Sequence, residues 1–490
     1  MASLLLIAPV AVPAAAACVY AVLGWNRITA WLGALAAAGL LTCAVALATT
    51  EKLYGGGHAL GEALAGLLHS DALSAFMLIV IGTVALLAML ASPAYLAAEL
   101  AAGHTGPRAM RRYGVLTQSF IAAMALAVLA SSLGLLWVAI EATTILTAFL
   151  VGHRRTRQAT EAAWKYVVIC SVGIALALLG IVLVHYAGDH VGVASLDWAE
   201  LAEHANRLDP GVMRIAVMLL VLGFGTKAGL APMHAWLPDA HSQAPAPVSA
   251  LMSGVLLSVA FYAILRVKVI ADVALGAGFT RTLLVIVALA SLAVAAFLLL
   301  GQRDYKRLLA YSSIEHMGLV ALGAAIGNTL ALVAVLLHIL GHGLGKSVLF
   351  LSAGQLHQAL GSSRIHAVHG LVTRAPMLAG PFALGLLALL GLPPFSLFAS
   401  ELGIARAGFA AGLGWAIAAA LVLMLVIVAA VGRQGQQMLL GGGPGEAIAL
   451  PRGVAVPLLA GLAACAALGI TLGPLHSLLQ AAATIAGATP

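Results

Sequence analysis

The sequence predicts an all-α polytopic membrane protein of about fourteen transmembrane helices, organised as a single membrane domain over residues 1–490. Three observations carry that expectation. Apolar residues make up 62% of the chain and charged residues only 8%, against roughly 25% charged in an average globular protein. A soluble fold of this length needs a charged surface that 24 basic and 17 acidic residues do not supply. The apolar residues also fall into runs of about 20, the length that crosses a bilayer as a helix.

Taken in order, the runs are approximately 4–24, 28–48, 71–94, 114–132, 133–151, 164–186, 211–231, 247–270, 279–300, 306–326, 328–353, 377–403, 405–432 and 453–476. The first lacks the basic flank of a signal peptide and reads as a span. The splits at Ser131-Ser132 and Gly327-Asn328 rest on very short loops. The longest polar insertions are 49–70 and 187–210, too short for an extramembrane catalytic module. Cys18, Cys43, Cys170 and Cys465 lie inside apolar runs with no close pair. Neither a disulfide framework nor an iron–sulfur or zinc site is implied.

The net charge of +7 does not point to a nucleic-acid partner, because Lys and Arg sit in short loops where their asymmetry sets topology. One side of the alternation carries Arg27, Arg108, Arg111, Arg112, Arg154, Arg155, Arg157, Arg303, Lys306, Arg307, Arg364, Arg374, Arg433 and Arg452. The other carries Lys52, Arg207, Arg214, Arg266, Lys268, Arg281 and Arg406. The richer side is expected in the cytoplasm, which places both termini outside.

A few ionisable residues remain within the apolar runs: Glu141, Lys165, Lys227, Glu315, His316, His338, His342, Lys346 and Glu401. A charge at mid-bilayer costs roughly 2.5–3.5 kcal/mol on insertion scales, so such residues face protein or water and mark ion or proton paths. Lys227 lies among Gly223, Gly225, Gly229 and Pro232, in a span expected to break beside a cavity. Glu401 follows a second break at Gly391-Leu-Pro-Pro394. His338, His342 and Lys346, spaced i, i+4, i+8, share one helix stripe. Two His at that spacing can share zinc, but no third ligand is apparent and Lys346 would repel a cation; a proton path fits the stripe better. The bland alternatives are an acid at 141 held by a neighbouring hydroxyl for packing and a Lys165 that snorkels to the interface. His185, Arg266 and Arg406 read as interface anchors.

The two broken spans sit five apart, which gives them opposite orientations. Spans 4–8 (114–270) and 9–13 (279–432) are therefore expected to be inverted repeats, an architecture that places polar sites at broken helices.

Longer strings now become informative. Lys227-Ala-Gly-Leu-Ala-Pro-Met-His-Ala-Trp-Leu-Pro-Asp-Ala-His241 and Ala244-Pro-Ala-Pro-Val-Ser-Ala250 resemble the signature of the antiporter-like subunits of respiratory complex I and its relatives. So do Asp304-Tyr-Lys-Arg-Leu-Leu-Ala-Tyr-Ser-Ser-Ile-Glu-His-Met-Gly318 and the His338/His342/Lys346 helix. Asp239-Ala-His-Ser-Gln-Ala-Pro, Ser313-Ile-Glu-His-Met, Gly345-Lys-Ser and Leu392-Pro-Pro-Phe-Ser-Leu-Phe-Ala-Ser-Glu401 are most similar to the F-type membrane subunits of hydrogenase-4 and formate hydrogenlyase complexes.

The resemblance implies a fourteen-helix fold and proton translocation inside a larger redox-driven assembly. It implies roles for Glu141 and Lys227 as a charge pair, for His338, His342 and Lys346 as a relay, and for Glu401 as the far-side terminal group. Lys165, His234, Asp239, His241, Glu315 and His316 are secondary candidates. This chain itself is expected to hold no cofactor and no metal. Iron–sulfur clusters and nickel–iron belong to partners: the other membrane subunits and a peripheral redox arm, assembled in the cytoplasmic membrane of a bacterium or archaeon. Two departures stand out. Ser258 follows Gly-Val-Leu-Leu where many relatives carry Lys or His, and the chain ends soon after span 14, without the long lateral helix of the distal complex I subunit. Other readings on the same scaffold are a subunit of a multisubunit cation/proton antiporter, an inorganic-carbon uptake module, and a membrane anchor whose charges are relics.

The charge asymmetry makes a direct prediction. Cysteine labelling or reporter fusions should find the C-terminal end outside and the 154–157 and 303–307 loops in the cytoplasm. Cytoplasmic labelling of the C-terminal end would show that the span count is off by an odd number.

Overall fold

A computed structural model describes residues 2–54, 66–441 and 451–489. The side chains of Lys52 and Arg452, both counted in the charge asymmetry, and the part of the 49–70 insertion between 55 and 65 lie outside the described residues. Among the described residues the chain is helical, with only isolated β-bridges between loops.

Among the described residues thirteen helices are long and apolar enough to cross a membrane, and Pro376–Leu389 is a shorter apolar helix. In chain order the helices longer than six residues are α1 (Ala2–Leu23), α2 (Leu32–Tyr54), α3 (Ala72–Ala101), α4 (Pro107–Leu129), α5 (Leu133–Val151), α6 (Arg157–Asp189), α7 (Pro210–Lys227) and α8 (Trp236–Gln243). Then follow α9 (Ala246–Leu275), α10 (Ala277–Leu300), α11 (Tyr305–Ile326), α12 (Thr329–Leu360), α13 (Pro376–Leu389), α14 (Ser396–Ala410), α15 (Gly414–Leu439), α16 (Arg452–Ile470) and α17 (Leu475–Ile485).

The short loops close because their residues cap the helices they join. Ser132 Oγ accepts from Leu135 N–H and Asn328 Oδ1 from Ala331 N–H, which satisfies donors at the starts of α5 and α12. Gly327, with φ +74°, ends α11 in a left-handed turn one residue earlier. Several boundaries differ from the hydropathy reading. α4 and α6 begin seven residues before the expected 114 and 164, because their polar first turns are helical although not apolar. The expected 405–432 span is α15 at Gly414–Leu439, set back by a turn at Gly412. The short, amphipathic α17 packs on α3 and α12 and lies beyond the reach of a span count.

Both expected breaks are present and share one construction. After α7, Gly229 (φ +76°) donates to Thr226 O at 3.2 Å and Leu230 to Gly225 O at 2.9 Å. After α13, Gly391 (φ +62°) donates to Ala388 O and Leu392 to Leu387 O, each at 3.1 Å. Each is a Schellman ending, which needs a residue tolerant of positive φ. A proline follows at Pro232 or Pro394, and the chain resumes as α8 or α14.

α9 and α12 form the centre: the apolar window of α9 is wholly buried and that of α12 nearly so. They touch where Gly254 meets Gly343, an approach that a Cβ at Gly254, only 3.1 Å from Gly343 O, would tighten. α9 carries a π-turn at Met252–Leu256 at this crossing, and Ser253 and Ser313 hydroxyls bond there at 2.7 Å. The outer helices α1, α6, α15 and α16 present exposed Val, Leu, Ile and Trp side chains, as a lipid-facing surface requires.

Arg266 is not an interface anchor. It is 2% exposed, pairs with Asp71 at 2.7 Å, donates to Tyr262 Oη at 2.9 Å and lies 3.9 Å from the Trp198 ring centroid. Burial pushes the Asp71 carboxyl up, but Arg266 and the Ser74 N–H outweigh burial and hold it below the usual carboxylate range. The pair ties the start of α3 to α9 and the 190s loop. Arg266→Met should therefore strand Asp71 and cost about 3–5 kcal/mol, read as a lowered unfolding temperature in detergent. Adding Asp71→Asn should recover part of the loss. An unchanged melting curve for Arg266→Met would refute a stabilising pair.

Candidate functional site

The first group of buried polar residues is built where α7 stops. Lys227 is the last residue of α7, is fully buried, and sits where a cation offsets the unpaired carbonyls and dipole of a helix C-terminus. Its ammonium donates to Tyr166 Oη at 2.7 Å and Thr144 Oγ1 at 3.0 Å. Thr144 in turn donates to Glu141 Oε2 at 3.0 Å. Glu141 and Lys227 thus form no direct ion pair, and the Thr144 hydroxyl stands between them. Glu141 is half-buried on α5. Tyr166 Oη also bonds Thr147 Oγ1 at 2.6 Å, and Thr147 donates to Thr143 O. α6 reaches α7 closely enough to bring Tyr166 in because Gly173 faces Thr226 and Gly223 faces Ala177 without side chains.

The second group spans α11, α12 and α14. His338, His342 and Lys346 form one interior stripe of α12, each at most 1% exposed. His338 Nε2 and His316 Nδ1 lie 3.0 Å apart, and His338 Nδ1 is 2.9 Å from Ser400 Oγ. The His316 and His342 ring centroids are 5.1 Å apart. Lys346 donates to Leu309 O at 2.8 Å and to Ser312 Oγ at 2.5 Å. Glu315, one turn along α11 from Ser312, is buried within electrostatic reach of Lys346. Glu401 completes the group: a carboxylate oxygen and one nitrogen each of His316 and His338 lie within 4.8 Å of one another. Its carboxylate occupies the space that a side chain at Gly391 would fill, so the second break leaves room for it. The clustered donors therefore come from three helices and leave out His342 of the i, i+4 pair. That donor set suits a metal by type. The two imidazoles already bond to each other, however, and Lys346 lies within electrostatic reach of His316.

α8 divides interior from surface. Two residues apart on a helix lie on opposite faces. His241 points inward, fully buried, stacked 5.3 Å from Phe350, with neither ring nitrogen bonded. Asp239 points into a polar cavity of about 580 Å³ shared with Arg303, Arg307 and Arg364. There it pairs with Arg307 and with Lys165, the latter at 3.2 Å. Lys165 is half-exposed and also bonds Glu161 at 2.7 Å, so it belongs to this mouth and not to the membrane interior. His234 lies in the break before α8, partly exposed, with a buried, unbonded Nδ1.

The two groups are not one continuous line. Between Tyr166 and His241 stands Trp236, with ring centroids 4.9 Å from the first and 6.2 Å from the second. Its indole N–H is committed to Thr226 O at 2.9 Å. Ser258 is buried nearby in the central helix with an unbonded hydroxyl. Sequence reasoning missed Thr144, Tyr166, Ser312 and Ser400. None is ionisable at neutral pH, and only the i, i+3 spacing of Thr144 from Glu141 hinted at a contact.

This architecture is shared with known proteins. Residues 130–427, more than half of the chain, match the family described as NADH:quinone oxidoreductase/Mrp antiporter, TM. A hydrogenase-4 component F homolog of Methylacidiphilum infernorum is 41% identical over 322 residues, covering 65% of this chain and 68% of that one. Further curated relatives are matched over about half of their length. A chain of the membrane-bound sulfane sulfur reductase, an archaeal respiratory membrane complex, superposes with TM-score 0.88 at 25% identity, covering 99% and 98% of the two chains. A chain of respiratory complex I from Thermus thermophilus shares the fold, with TM-score 0.81 at 24% identity over 99% and 100% of the chains. The chain thus belongs to the NADH:quinone oxidoreductase/Mrp antiporter family, as an antiporter-like membrane subunit of the complex I and group 4 hydrogenase type.

Proposed function

We propose that this subunit carries protons across the cytoplasmic membrane, driven by redox chemistry in partner subunits. The observation that carries the reading is the bonded run Glu141–Thr144–Lys227–Tyr166. It links an acid and a base through a hydroxyl that accepts from one and donates to the other, so a proton moves along it by exchange of hydrogen bonds. The His316–His338–Ser400 run with Glu401 is its counterpart beyond the second break. His241 and Ser258, and His342 at the edge of the second group, hold buried, unbonded polar atoms, and buried atoms of that kind are satisfied by ordered water. Such water would join the groups around Trp236.

The identical endings at Gly229 and Gly391 support inverted repeats over 114–270 and 279–432. The basic loops support a cytoplasmic position for the Asp239–Arg307 mouth, with both termini outside. The iron–sulfur and nickel–iron centres of the assembly belong to its partners. The multisubunit antiporter reading shares the scaffold, but the 41% relative is a hydrogenase component homolog.

Thr144→Val should leave the assembly and its redox activity intact while proton translocation into sealed vesicles falls about tenfold or more, because a hydrogen bond to a charged group, roughly 1.5–3 kcal/mol, is lost from the path. Thr144→Ser should retain transport. Glu141→Gln and Lys227→Met should likewise assemble and lose pumping. If the run only holds the helices together, these variants fail to assemble instead. Normal assembly with unmodified pumping in all of them would remove the relay from the mechanism.

A further inference from the structure

A second feature lies where α4, α5 and α6 meet, at the end of the bundle that carries the 152–157 loop. An apolar groove of about 520 Å³ runs between α5 and α6, lined by Ile145, Phe149, Trp164 and Val167 and closed at one end by Arg112 and Arg155. Its volume falls within the range of small-molecule sites, about 300–1,000 Å³.

The two arginines set this groove apart from the other apolar surfaces of the bundle. Among the described residues neither joins an ion pair. Arg155 is close enough to act electrostatically on Arg112, so two like charges share the site without a counter-charge. Arg112 Nε is buried and unbonded. The neighbouring Arg154 is treated differently, locked by Glu99 at 2.6 Å. Arg155 is also the one non-glycine residue with positive φ (+53°) among the described residues, a conformation that side chains rarely adopt and that is kept where surroundings or function demand it. His153, next to them, is lowered to about 4 by burial first and then by Arg112. It stays neutral and adds no charge of its own.

An unpaired arginine couple at the head of an apolar trough, at the level where helices enter the membrane, is complementary to one amphiphile class. We propose that this groove binds an anionic phospholipid, its phosphate between Arg112 and Arg155 and an acyl chain along Ile145, Phe149 and Val167. Guanidinium groups bond phosphate oxygens in a bidentate fork. Trp164, 66% exposed, sits beside them as aromatic residues do at the membrane–water boundary. The groove lies on the α5 face that carries Glu141, since 141, 145 and 149 are successive i, i+4 positions. The acyl chain therefore ends about one turn from that carboxylate. The inference rests on membrane insertion alone and not on the proton-path reading.

The test uses the assembly purified from its own membranes in mild detergent. Co-purifying phospholipid is quantified by mass spectrometry for the unmodified protein, Arg112→Gln/Arg155→Gln, the groove-filling Ala148→Trp and the exposed control pair Arg108→Gln/Arg111→Gln. About one anionic phospholipid per copy should survive delipidation in the unmodified and control proteins. Retention should fall at least fivefold in the arginine pair and in Ala148→Trp. Rebinding in nanodiscs should favour phosphatidylglycerol over phosphatidylcholine by a similar factor. Inorganic phosphate at 10 mM should not displace the lipid; if it does, the site is a phosphate site and the lipid assignment falls. Equal retention in all variants, or equal uptake of zwitterionic and anionic lipid, overturns the proposal. So does a photo-crosslinker at Trp164 that captures another protein subunit instead of lipid. If the arginine pair does not assemble, Ala148→Trp, which keeps both charges, decides.

Discussion

Lys227 has no carboxylate within ion-pair distance among the described residues, so two hydroxyls and a helix end carry its charge. That arrangement constrains much of the first half of the bundle. Tyr166 must reach it from α6, which requires the glycine contacts between α6 and α7. Thr144 must reach it from α5, which fixes the rotation of α5 and thereby the side on which Glu141 emerges. α7 must stop at Lys227, so the glycine-led turn that ends it is part of the site. A lysine in mid-helix would meet only side chains of its own face, whereas one in the last turn also gains a favourable dipole.

The second half meets the same requirement with different chemistry. Its charges and imidazoles are spread over three helices, and its break after α13 makes room for a carboxylate where the first break ends on an amine. The backbone construction is the same at both places, down to the residue spacing of the two closing hydrogen bonds. What repeats is thus the means of interrupting a helix inside a membrane, while the protonatable group placed beside the interruption differs.

Between the halves, α9 and α12 pack through Gly254 and Gly343, and near that crossing α9 offers hydroxyls rather than charges: Ser253 bonded, Ser258 unbonded. Trp236 fills the space between Tyr166 and His241 with its only donor already committed. Among the described residues, the bonded runs on the two sides of Trp236 are therefore not joined to each other by side-chain hydrogen bonds. The Asp239 cluster lies on the opposite face of the short helix that carries His241, so movement of α8 would be felt on both sides at once.

Much of this was legible in the sequence, for physical reasons that act locally. Apolar runs of bilayer length, glycine and proline at the two breaks, and ionisable residues stranded in apolar surroundings each have one economical explanation in a membrane. They pointed to an all-helical membrane fold, to both interruptions, and to most of the ionisable residues that the candidate site gathers. Partnership was not legible, because it depends on how helices rotate against one another. Arg266 looked like an interface anchor until Asp71, distant in sequence, was found beside it. Glu141 and Lys227 looked like an ion pair, yet a threonine separates them. His338 was grouped with His342 by helix spacing, yet it clusters with His316 of α11 and Glu401 of α14. Sequence determines where a charge must be satisfied. Only tertiary packing decides which side chain satisfies it, since hydrogen bonds are settled over distances shorter than the width of one helix.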